Sequence, residues 1–127
     1  MLWRVRAGGW DFLGFEGLKA KWADYAPTSP DLPLVVSALA QVTTCLAPRA
    51  RLLTAWERWG YYCERKDEAH LVGRYLLHTD LAWTNILVRH GRAHLVDWPW
   101  AALGPAWVDP ALWAVRLISD GSHTPAA

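Results

Sequence analysis

The chain has 127 residues, 53% of them hydrophobic, with 13 Lys and Arg against 12 Asp and Glu, for a net charge of +1. That balance excludes a nucleic-acid-wrapping protein, a polybasic membrane binder and an acidic disordered tail, and the apolar fraction supplies a packed core. No run reaches the roughly 18 apolar residues of a membrane-spanning helix, and Met1 to Arg6 lacks the pattern of a secretory signal. Two cysteines without a CxxC, Cys45 and Cys63, fit a reducing cytoplasm and are read as buried small hydrophobes. Ten Trp is far above ordinary usage, so most are expected to pack against something.

In chain order, the first sixteen residues read as a hairpin. Leu2 to Arg6 alternates in period two, Gly8-Gly9 supplies a turn, and Trp10 to Phe15 returns. Glu16 to Pro30 is a connector without periodicity. Ser29-Pro30-Asp31 reads as a helix start, followed by Leu32, Val35, Val36, Leu39 and Val42 on one face, with Pro48 ending the region. Arg51 to Tyr62 is a second amphipathic stretch, weakened by Gly60. Glu64 to Glu68 is a solvated turn. Arg74 to His78, Ile86 to Val88 and Ala93 to Val96 are β-type runs, the last two joined tightly through Arg89 to Arg92. Gly104-Pro105 opens a last helix, Val108 to Ile118, and Ser119 to Ala127 reads as a frayed polar end. There is no internal repeat.

The chemistry concentrates between residues 76 and 98. His78, Asp80 and Asn85 form H-x-D-x-x-x-x-N, and Asp97-Trp98 ends the next apolar strand. A carboxylate at a strand exit suits the orientation and deprotonation of a hydroxyl nucleophile. An amide oxygen and a second carboxylate are the hard donors magnesium prefers. Asp80 is therefore the candidate base, with Asn85 and Asp97 the candidate magnesium ligands. His90 and His94 have helical metal-ligand spacing, but Gly91 and the hairpin pattern point to a strand turn instead. Trp98, Trp100, Trp107 and Trp113 are read as core rather than as a stacking platform, because no basic stripe interleaves them.

This stretch resembles the aminoglycoside phosphotransferase family, a branch of the protein-kinase-like fold, and the likeness extends to Leu77-His78-Thr79-Asp80-Leu81, Asp97-Trp98-Pro99-Trp100-Ala101 and Asp109-Pro110-Ala111. The resemblance implies an α+β chain with a partial protein-kinase-like fold. Residues 1–28 would be a small-lobe hairpin remnant and hinge, and residues 29–127 a mostly helical partial large lobe with a short catalytic-loop hairpin. It implies ATP and magnesium as cofactors and a small-molecule hydroxyl as acceptor, with no nucleic-acid or membrane partner. Adenine would lie against the backbone of Phe15, Glu16, Gly17 and Leu18, His78 would brace the catalytic loop, and Asp109 would be a helix-start residue bonded to that loop. The glycine-rich loop and the lysine strand expected of such a fold are absent from the sequence. The chain is therefore expected to be incomplete at both ends and inactive alone, with under-covered apolar faces around Trp107, Trp113 and Leu117 that drive self-association. The alternative is a catalytically dead kinase-like remnant or binding module. A metal-dependent hydrolase on His78, Asp80 and Asp97 leaves Asn85 unexplained.

Overall fold

The computed structural model describes residues 1–125 of an α+β chain. Three small sheets and three helices follow one another as β1 (Trp3–Ala7), β2 (Trp10–Gly14), β3 (Lys21–Trp22), α1 (Leu32–Val42), β4 (Leu53–Thr54), α2 (Ala55–Trp59), β5 (Tyr75–Leu77), β6 (Ile86–Arg89), β7 (Arg92–Leu95), β8 (Ala102–Gly104) and α3 (Val108–Gly121). β1 pairs with β2 alone. β3, β6 and β7 form an antiparallel sheet in that order, and β8 lies between β4, to which it is parallel, and β5, to which it is antiparallel. No helix among the described residues is long and apolar enough to cross a membrane.

Two apolar clusters hold the body together. One joins Ala23, Tyr25, Val35, Leu39, Leu81, Ile86, Val88 and Trp113; the other joins Ala55, Leu71, Leu77, Ala102 and Val108. Leu112 of α3 packs against both, so the last helix stitches them. The loop between β5 and β6 runs from the second cluster at Leu77 to the first at Leu81. Both of those side chains are fully buried, and the polar residues between them are held at the seam.

Several elements differ from the sequence expectation. The division after residue 28 falls inside the larger body: β3 pairs with β6, and Ala23 and Tyr25 are buried in its core. Helix α1 starts later than expected: its N-cap position is Asp31 rather than the hydroxyl of Ser29, and the Asp31 side chain makes no capping bond. Its carboxylate accepts instead from Lys21 Nζ (2.6 Å) and from the Asp24 backbone N–H (2.9 Å), tying the connector to the helix start. The stretch from Arg51 to Tyr62 is not one helix. Thr54 and Glu57 form a reciprocal capping box that starts α2 late, and Gly60 ends it. A 3-10 segment, Arg65–Leu71, takes the place of the expected turn at Glu64 to Glu68. α3 continues to Gly121, past the expected Ile118. Of the end read as frayed, Ser119 to Gly121 are thus helical, Ser122 to Pro125 follow without regular structure, and Ala126 and Ala127 lie outside the described residues.

The tryptophans also depart from expectation. Only Trp113 is buried, meeting Tyr25 edge-on at 6.1 Å, whereas Trp3, Trp10, Trp22, Trp83, Trp100 and Trp107 are exposed. Around the last helix, then, the uncovered ring is Trp107, not Trp113, and Leu117 is half-buried against the core. Cys45 is exposed and Cys63 only half-buried. An indole can cover neighbouring apolar area with one face while the other stays in water, so a high Trp count does not translate into burial.

Candidate active site

The site begins where β5 ends. His78 is fully buried, and its ring spans two backbone groups: Nδ1 accepts the Asp80 N–H (3.3 Å) and Nε2 lies 2.8 Å from the Val96 carbonyl. Those partners fit the tautomer with the proton on Nε2, because a carbonyl can only accept and a backbone N–H can only donate. The ring also meets Trp98 at 4.5 Å. His78 therefore clamps the loop carrying Asp80 to the strand end carrying Asp97.

Asp109, in the first turn of α3, secures the same loop from the other side. Its Oδ2 accepts from the His78 N–H (2.7 Å) and its Oδ1 from the Thr79 N–H (3.0 Å). Burial pushes this carboxyl above its ordinary value, against the pull of the two backbone N–H groups. Thr79 needs such support. It sits at φ +68°, a left-handed conformation costly for a β-branched residue, and such strain persists where surrounding contacts over-determine it. Its hydroxyl adds further ties, accepting from Arg58 Nη1 (2.6 Å) and donating to the Trp100 carbonyl (2.6 Å).

Asp80 is half-buried, and both its carboxylate oxygens are engaged. Asn85 Nδ2 donates to Oδ2 (2.9 Å) and to the Asp80 backbone carbonyl (3.1 Å), while Arg116 Nη2 lies 3.3 Å from Oδ1. Arg116 also reaches Asp120 at 3.6 Å, so this guanidinium answers two carboxylates. Asn85 is buried, and because its amide nitrogen is spent on Asp80, its amide oxygen is left to accept from or coordinate something else. The Asn85 carbonyl accepts from the Val96 N–H (2.9 Å), which brings Asp97 to the same end of the β6–β7 hairpin as Asn85. Asp97 is exposed at φ +62°, and among the described residues its carboxylate enters no ion pair or side-chain hydrogen bond. An amide oxygen and a free carboxylate suit a hard cation such as magnesium, which fills most of its octahedron with water and substrate oxygens. The donor types at Asn85 and Asp97 are those such an ion takes; no group of three or more His, Cys, Asp or Glu able to hold a metal occurs among the described residues.

The adenine-side residues stand apart from this set. Phe15, Glu16 and Gly17 are exposed and Leu18 half-buried, in a segment without regular structure between β2 and β3, and none of them lines the cleft beside Asp80. Sequence reasoning missed Arg116 and Arg58. Arg116 lies seven residues after Asp109, two helical turns along the same face, so that spacing could have revealed it. Arg58 reaches the loop from a short helix 21 residues earlier in the chain, and no local pattern signals it. No family model, curated protein or solved structure matches this chain.

Proposed function

We propose that the chain carries the catalytic and metal-binding loops of a cytoplasmic, kinase-like phosphotransferase that moves the γ-phosphate of ATP to a small-molecule hydroxyl. One observation carries the reading: His78, Asp80, Asn85 and the backbone leading into Asp97 form one hydrogen-bonded set. Chance polar loops around a small sheet have no reason to converge in this way. Asp80 orients the acceptor O–H and takes its proton, a contribution of about 10²–10⁴ in rate. Asn85 holds Asp80 in place and, with Asp97, offers the oxygens that would bind magnesium. Magnesium, when bound, neutralises charge on the phosphates. Arg116 balances the Asp80 carboxylate before the proton arrives.

In phosphoryl transfer much of the rate comes from groups that hold the phosphates. No glycine-rich loop followed by a lysine strand occurs in residues 1–127, and losing two such contacts costs on the order of 10⁴-fold or more. The chain alone is expected to bind magnesium–ATP weakly and to turn over no acceptor measurably. Equilibrium dialysis against labelled ATP with magnesium tests the reading. Asp97→Ala should abolish the weak binding and Asp80→Ala should leave it nearly intact. Equal binding by the Asp97→Ala variant would sink the assignment.

A further inference from the structure

Asp80 also borders a shallow cleft of about 310 Å³, lined by Arg58, Trp59, Thr79, Asp80 and Trp100. The Arg58 guanidinium lies 5.8 Å from the Trp59 ring centre and 5.3 Å from that of Trp100, inside cation–π range of both. Its Nη1 donates to the Thr79 hydroxyl and to the Trp100 carbonyl, both at 2.6 Å, which fixes the plane of the guanidinium. Those bonds use one of its three nitrogens. Among the described residues no carboxylate pairs with Arg58, and the one carboxylate lining the cleft, Asp80, already faces Arg116.

We infer that this cleft receives the acceptor, and that the acceptor is an anionic, hydroxylated ring compound of the sugar-acid type rather than a polycation. The inference rests on the phosphotransferase reading for the role of Asp80 but not for the chemistry of the walls. A polycation entering here meets Arg58, with Arg116 behind Asp80, and finds no unpaired carboxylate in the lining. A ring with an apolar face stacks on an indole, and a carboxylate on that ring takes the remaining Arg58 N–H donors. The ring hydroxyl then lies beside Asp80, the base.

Ligand-observed saturation-transfer NMR on the full chain tests this with three probes: glucuronate, neutral methyl glucoside and the polyamino sugar kanamycin. Glucuronate should bind most tightly of the three and weaken as salt is raised. Arg58→Gln should weaken it by at least about tenfold, the usual loss of a charge-assisted bond. Trp100→Ala removes a wall while keeping the carbonyl that holds Arg58, and should weaken it several-fold with the circular dichroism spectrum unchanged. If Arg58→Gln unfolds, Trp100→Ala and the salt dependence decide. Tighter kanamycin binding, glucuronate binding indifferent to Trp100→Ala, or no binding of glucuronate at tens of millimolar overturns the inference. Each result is independent of whether Asp97→Ala abolishes magnesium–ATP binding, so this proposal and the phosphotransferase reading fail separately.

Discussion

Two hairpins in this chain share a design and differ in fate. β1–β2 turns through Gly8-Gly9 and β6–β7 through His90-Gly91, and in each turn both residues have positive φ, as tight two-residue hairpin turns demand. In β6 the side chains of Ile86 and Val88 are buried against α1 and α3, and the hairpin delivers Asn85 and Asp97 to the site. In β1–β2 every residue but Gly14 is exposed, and Trp3, Val5, Trp10 and Phe12 share one open apolar face. On the opposite face, exposed Arg4 and Arg6 pair with Asp11. Period-two alternation and a good turn specify a hairpin; they do not supply what it packs on.

Asp109→Ala should separate the two regions most sharply. It strips the acceptor from two backbone N–H groups around a strained Thr79, and a loss of about 3 kcal/mol is expected in urea melts. A loss under about 1 kcal/mol would mean that the loop does not depend on α3. Asp31→Asn comes next. It weakens the tie between the connector and α1 by about 1–2 kcal/mol, discounted because Lys21 is exposed. Burial raises the Asp31 carboxyl, but Lys21 and the Asp24 N–H more than offset this and leave it below its ordinary value. A group depressed in this way stabilises the fold fully above the ordinary carboxylate value of about 4, and that contribution is lost as pH falls through the folded value. The gap between the two chains in thermal melts should therefore be widest at neutral pH and close in acid. The smallest effect belongs to the first hairpin: Val5→Thr and Phe12→Thr should each change stability by no more than about 0.5 kcal/mol. A larger loss would reveal burial of this face in solution, against a second copy or another chain.

The sequence disclosed most where chemistry and local pattern coincide. β6, β7, α1 and most of α3 follow from apolar periodicity and turn residues, and the spacing of His78, Asp80, Asn85 and Asp97 pointed to one site because short strands separate them. β3, β4 and β8 were not legible. Two or three residues long, they are strands only because a partner is present, and no period can be read over so short a run. The same limit hid Arg58, whose role depends on how α2 docks rather than on its neighbours. The fate of the tryptophans could not be read either, since composition counts rings but not the surfaces they meet.

The Val96 junction has a mechanical consequence. Like charges on Asp80 and Asp97 favour splaying of their two loops. Here the restraint runs through the peptide at residue 96, whose N–H is held by the Asn85 carbonyl and whose carbonyl is held by the His78 ring. The two acidic loops are thereby fastened as one part, by bonds that any residue but proline at position 96 would keep and that depend on one side chain, the His78 ring.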